Sequence, residues 1–169
     1  MTPCEPSLES PVEQKISWAG VVFHRRRQDL LGDANFAENL TLLKRAVMQS
    51  REETAHLGIG AFCKVCEERE GGSCCGAGIE SHYGATLLLL NLLLGVQLSD
   101  TRHDHLSCFF LSESGCSLLA RHVICVNYLC QKITSRISPQ ALSALREKEG
   151  VELDLVFSAH EMIKKKLAS

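Results

Sequence analysis

Residues 85–98 read Ala-Thr-Leu-Leu-Leu-Leu-Asn-Leu-Leu-Leu-Gly-Val-Gln-Leu, and how this run is read decides the fold. A helix that spans a bilayer needs roughly 20 apolar residues. This run is shorter, Asn91 interrupts it and Gly95 weakens it. It therefore reads as a core helix, extending back to about Ser81, and no membrane span is expected. At 169 residues the chain is long enough to bury such a helix inside one domain.

Upstream, Phe36, Leu40, Leu43 and Val47 recur at i, i+4, i+7 and i+11. That spacing predicts one apolar stripe on a helix from about Phe36 to Leu57. Asn35 is the expected cap, with Glu38 at the capping-box offset. Gly58 and Gly60 supply the left-handed freedom that stops a helix. Ile16–Phe23 is a short apolar patch, strand or helical turn, and Arg25-Arg26-Arg27 reads as a solvated face. Residues 1–15, with three prolines and several acids, are expected to form a disordered tail. The start, Met1-Thr2-Pro3-Cys4-Glu5-Pro6, has no basic n-region and no apolar h-region, so no signal peptide is expected and the cytoplasm is the expected compartment.

Downstream, Ser99–Ser107 is polar and carries His103 and His105, and Ser112–Gly115 reads as a turn. Residues 118–137 are apolar and partly helical. Ser138-Pro139 opens a new helix, serine as cap and proline at its first position, with Gly150 expected to end or kink it. From Glu152 to Leu167, Leu153, Val156, Phe157, His160, Ile163 and Leu167 form a further stripe. Lys164-Lys165-Lys166 falls where a helix dipole favours cations. The expected architecture is all-α: four or five helices in a single domain over residues 16–169, with two irregular cysteine-rich metal-binding segments between residues 61 and 131.

The chain has nine cysteines, a net charge of −2 and few aromatic residues. No basic footprint or stacking platform for nucleic acid is present. In a reducing compartment disulfides are rare, and an odd count fits full pairing poorly. Eight of the nine run Cys63-x2-Cys66-x7-Cys74-Cys75 and, after a gap of 32, Cys108-x7-Cys116-x8-Cys125-x4-Cys130. The Cys63-x2-Cys66 spacing lets two thiolates reach one ion from a tight turn. The segment 61–80 has four glycines and little to bury, so metal ligation is its natural tie. Successive side chains of an extended backbone point to opposite faces, so Cys74 and Cys75 favour two centres or one polynuclear cluster. Cys125 and Cys130 sit in an apolar stretch, where core packing is the competing role. His82, His103 and His105 are alternative ligands; each also reads as a solvated surface histidine.

The ordered string Cys63-Lys64-Val65-Cys66, Cys74-Cys75, Cys108-Phe109-Phe110-Leu111, Gly115-Cys116-Ser117, Arg121, Cys125 and Cys130 resembles the YkgJ-like cysteine-cluster family of zinc- or iron-chelating domains. The resemblance covers about residues 61–131. It departs from the family in the longer gap from Glu67 to Ser73, in His122 where the family has proline after the arginine, and in Val126 where arginine is common. Flagellin lysine methylases have a similar cysteine pattern, but the chain has no glycine-rich cofactor loop and no radical-type Cys-x3-Cys-x2-Cys motif. The resemblance implies metal binding by the eight cysteines. The leading expectation is an iron–sulfur protein, with a [4Fe–4S] cluster and an electron-transfer or accessory role beside a redox or other protein partner. A structural zinc module for protein interaction is the alternative, and a cysteine-dependent enzyme the third.

Overall fold

The computed structural model describes residues 3–70 and 74–168, with the side chains of 67–70 excepted. Gly71, Gly72 and Ser73, part of the expected glycine-rich loop, lie outside the described residues. The fold is mostly helical. Among the described residues the helices are α1 Val12–Leu31, α2 Ala34–His56, α3 Ile59–Glu70, α4 Ala85–Leu93, α5 Val123–Asn127, α6 Gln131–Thr134 and α7 Pro139–Ala168. A 3-10 turn spans Ile79–His82, and the strands β1 Leu111–Ser112 and β2 Gly115–Cys116 form a small antiparallel hairpin.

The leucine run is the central element. Ala85, Leu88, Leu89 and Leu90 of α4 are fully buried, with α1 packed along one side and α7 on another. α2 lies along α7, and its expected stripe of Phe36, Leu40, Leu43 and Val47 is buried. Each fully buried leucine contributes about 2 kcal/mol. No helix is long and apolar enough to cross a membrane among the described residues.

α4 stops earlier than the composition suggests, at Leu93. Gly95 takes a φ of 92°, its amide donates to Leu92 O, and the Val96 amide donates to Asn91 O. This paired closure needs a left-handed residue after the cap, which glycine adopts without strain. Asn91 does more than interrupt the leucines. It is fully buried and makes four hydrogen bonds. Its Nδ2 donates to Leu87 O at 3.0 Å and Ala120 O at 2.9 Å, while its Oδ1 accepts from the amides of Leu119 and Ala120 at 2.8 and 3.0 Å. The loop 118–120 is thus clasped to α4 by one side chain.

Several expectations change. Residues 1–15 are not a disordered tail over the described part: Val12 to Lys15 already belong to α1, and residues 3–11 are tied down. Trp18 Nε1 donates to Pro3 O at 2.9 Å, and the buried Lys15 ammonium donates to Leu8 O and Ser81 O. Glu5 accepts from the Thr86 amide and hydroxyl, so a distant carboxylate serves the open N-terminus of α4. The patch 16–23 is the middle of a long helix. α2 is capped by Asp33, whose carboxylate accepts from the Phe36 amide at 3.0 Å, and not by Asn35. Much of the first cysteine segment is helical rather than irregular, since α3 carries Cys63 and Cys66 and contains Gly60.

The helix opened by Ser138-Pro139 forms, with Ser138 Oγ accepting from the Ala141 amide, but Gly150 does not end it. An internal glycine costs about 1 kcal/mol. Here the buried stripe of Leu145, Glu149, Glu152, Val156, Ala159 and Ile163 runs through it on both sides and outweighs that cost. The C-terminal lysines also find a use, with Lys166 pairing with Asp33 at 2.9 Å.

Replacing Asn91 with leucine keeps the volume and deletes the clasp. The amides of Leu119 and Ala120 and the Ala120 carbonyl then lose their partners, and buried orphaned groups cost about 1–3 kcal/mol each. The Asn91→Leu variant is expected to lose about 3 kcal/mol in urea or thermal unfolding, despite being the more apolar protein.

Candidate functional site

Backbone pairing joins the two cysteine segments. Cys108 N donates to Cys75 O at 2.6 Å, Ala77 N donates to Leu106 O at 2.9 Å, and Gly76 bridges Ser107 in antiparallel sense. A chain that leaves α3 near Glu70 thus returns against the segment before β1. The β1–β2 hairpin then folds Cys116 back towards Cys108, with Leu111 opposite Cys116 and Gly115 at a φ of 105°.

Glu80 holds this junction from within. Its buried carboxylate accepts from the Gly78 amide at 3.0 Å and the Phe109 amide at 3.4 Å, and pairs with Arg102. Arg102 also donates to Ser107 O, and its guanidinium lies 5.5 Å from the centre of the Phe109 ring. Burial alone would push the Glu80 carboxyl up. The Arg102 hydrogen bond and the backbone amides outweigh it and hold the group below the usual carboxylate range.

None of the nine cysteines forms a disulfide among the described residues. Cys75 sits among four of them. Its thiol is pushed up to about 12, first by burial and then by Cys116, Cys125, Cys108 and Cys63. Cys75 is exposed over the whole residue, and burial around its sulfur is nonetheless the largest cause of the rise. Cys108 is buried and raised to about 11, by burial first, against the Phe110 amide, with Glu80, Cys116 and Cys125 adding to the rise. Cys116 is raised by burial, opposed by the Leu118 amide and by Arg121 and Arg51. Tyr83, almost wholly buried, donates its hydroxyl to Cys125 Sγ at 3.5 Å and accepts from the His122 amide at 3.1 Å. Its phenol is raised by burial and by that bond to Cys125.

The expected ligands are therefore distributed unevenly. Cys75, Cys108, Cys116 and Cys125 act on one another from the junction, the hairpin and α5, and Cys63 of α3 acts on Cys75. Cys66 is half-buried and follows Cys63 on the same face of α3, since Ile59, Cys63 and Cys66 fall at i, i+4 and i+7. Cys74 is exposed. Cys130 packs on the second apolar cluster, of Ile59, Ile133 and Leu145, and Cys125 packs against the main core while its sulfur accepts from Tyr83, so a core role is visible for both. Among the described residues, no three His, Cys, Asp or Glu side chains already converge as ligands of one ion.

The histidines also separate. His82 stacks on His122 with ring centroids 5.6 Å apart, and His122 Nδ1 accepts from the Ile124 amide to cap α5. Burial, then His82, push His122 down. His105 is exposed, beside Asp104.

Sequence reasoning did not single out Glu80, Tyr83, Arg51 or Glu152. A buried acid five residues past a vicinal cysteine pair leaves no periodic signal. No protein-family model, curated protein or solved structure matches the chain. The chemistry of the thiol group rests on its own geometry.

Glu80→Gln tests the junction. A depressed folded-state pKa gives a carboxylate stability that is present above its unfolded pKa and lost as pH falls through the folded value. At neutral pH the variant is expected to unfold with about 2 kcal/mol less free energy than the parent. The gap between the two should close as pH drops below the ordinary carboxylate range. A gap that is constant with pH would show that the charge of Glu80 contributes nothing.

Proposed function

We propose that this chain is a metal-binding protein whose centre is built on Cys63, Cys75, Cys108, Cys116 and Cys125, and that its resident group is an iron–sulfur cluster. One observation carries the reading: the backbone junction of Cys75–Ala77 with Leu106–Cys108 draws thiols from four separate elements around Cys75. A closed zinc site and a [4Fe–4S] cluster each take four cysteines, so the group supplies enough thiols for either, and its thiol-only donor set suits the cluster.

The donor set fits the group. Thiols with raised pKa values stay protonated in the metal-free protein, and a bound metal ion deprotonates its sulfur ligands outright. Metal loading therefore releases protons and becomes coupled to the ordering of the segments that carry the ligands. Tyr83 holds Cys125 by its hydroxyl, and the buried Phe110 ring lies edge-on to Tyr83 at 5.3 Å. Together they exclude water from one side of the group. Bound there, a cluster supplies one-electron chemistry tuned by hydrogen bonds to its sulfurs and by solvent exposure.

Phe62 and Val65 on α3, Leu106, Val123, Ile124 and Tyr128 are exposed apolar residues on the elements that carry the cysteines. Such a rim suits transient contact with a protein, in keeping with an electron-transfer or accessory role. Nine cysteines without a disulfide among the described residues suit a reducing compartment such as the cytoplasm.

Anaerobic purification followed by iron, zinc and acid-labile sulfide analysis tests the proposal. The parent protein and Cys4→Ser are expected to carry iron, sulfide and visible charge-transfer absorbance. Cys75→Ser is expected to lose most of the metal and to melt earlier. Less than one metal ion per chain in the parent, or undiminished metal in Cys75→Ser, would overturn metal binding at this group. Stoichiometric zinc without sulfide would replace the cluster with a structural zinc centre.

A further inference from the structure

Behind Cys116 lies a buried charge group that neither the fold nor the thiols explain. Arg51, on α2, donates from Nη2 to Leu118 O, two residues beyond Cys116. Arg121 places Nη2 3.5 Å from Glu152 Oε1, with the Arg121 side chain 17% exposed and that of Glu152 0%. Ser50 Oγ donates to the other oxygen of Glu152. Arg51 and Arg121 thus hold the two ends of the segment 118–121 that follows Cys116. The neighbouring carboxylates are already engaged, Glu149 by Arg146 at 2.6 Å and Glu53 by Lys148.

Among the described residues, three guanidinium groups, of Arg51, Arg121 and Arg146, thus face two buried carboxylates, Glu149 and Glu152. The match is incomplete in a second respect: Arg121 Nε and Glu152 Oε1 are buried without a hydrogen-bond partner. Burying an uncompensated cation is costly unless an anion lies nearby. Cys116 lies two residues before the Leu118 carbonyl that Arg51 holds, and its sulfur would become an anion on binding metal.

We propose that Arg51 and Arg121 are positioning residues that place one surplus positive charge beneath Cys116, matching the cysteine group to an anionic, thiolate-bound centre. This inference rests on the metal-binding reading above. Ser50 and Glu152 orient Arg121, and the Leu118 carbonyl orients Arg51, so the charge is fixed to the same short segment that carries the ligand. The surplus charge stabilises the bound thiolate against loss of metal. In an iron–sulfur form it favours the reduced, more negative state.

The test compares metal-loaded parent protein with Arg51→Gln, Arg51→Lys, Arg121→Gln and Glu152→Gln. Release of iron or zinc to a chromogenic chelator is timed, and the midpoint potential is measured where a cluster is present. Melting of each metal-free form checks folding. Both glutamine replacements of arginine are expected to release metal about tenfold faster, within the range for groups that support metal ligands, and to lower the potential. Arg51→Lys, which keeps the charge, should stay close to the parent. Glu152→Gln adds net positive charge and is expected to act in the opposite direction, slowing release and raising the potential. General loosening of the fold cannot produce that reversal.

Loaded parent and glutamine variants that release metal at the same rate would overturn the inference and leave the metal centre standing. So would a Glu152→Gln variant that shifts in the same direction as Arg121→Gln. A parent protein that takes up no metal would remove the centre and the inference together.

Discussion

The side chain of Asn91 sits in the middle of the leucine run and is saturated with hydrogen bonds there. An amide in such surroundings is costly without partners and strongly directional with them. Its partners are backbone groups of Leu119 and Ala120. The loop between Cys116 and Cys125 is therefore fixed to the most deeply buried helix in the molecule. Hydrophobic burial alone would hold α4 in the core, but it would not specify where that loop lies along the helix. Two cysteines and Arg121 depend on that register for their placement.

A second constraint acts from the other side. Glu80 and Arg102 stitch the 3-10 turn to the segment before Cys108, and the short ladder around Gly76 and Ser107 brings Cys75 onto it. None of these elements buries much apolar surface, and the hairpin is only two residues per strand. A two-stranded hairpin of that size is marginal in water. Its stability comes from what flanks it: Phe110 and Leu118 buried in the core, and the Ser117 amide returned to Phe110 O at 2.9 Å. The thiol group thus rests on polar contacts and backbone pairing laid over a helical base.

Much of that base could be read directly from residue patterns. The stripe of Phe36, Leu40, Leu43 and Val47, the Ser138-Pro139 start and the run at 85–98 each carry a local signal strong enough to survive in the fold. α3 was not legible because its cysteines and glycine read as a loop, whereas Ile59 anchors it to Ile133 and Leu145 from far along the chain. Gly150 misleads for the same reason, since its local preference is outvoted by buried neighbours on α7. The N-terminal segment looked solvated by composition, but Glu5 and Lys15 find partners 81 and 66 residues away. At the site, cysteine spacing pointed to the two groups. It carried no information about Glu80, Tyr83 or Arg51, whose roles exist only once distant segments meet.

Burial and the neighbouring sulfurs push the Cys75 and Cys108 thiols up together. Cys116 is the exception in kind, because two guanidinium groups oppose the effect of burial there. A site built only to pack cysteines as small apolar residues would have no use for buried arginines behind one of them. A site built for a single activated thiol would not crowd that thiol with other sulfurs, each of which disfavours its ionisation. Crowded thiols are what the metal-binding proposal rests on, because a bound cation would convert mutual repulsion among the sulfurs into shared coordination, and the positive charge of Arg51 and Arg121 would offset the net negative charge of the resulting thiolate centre.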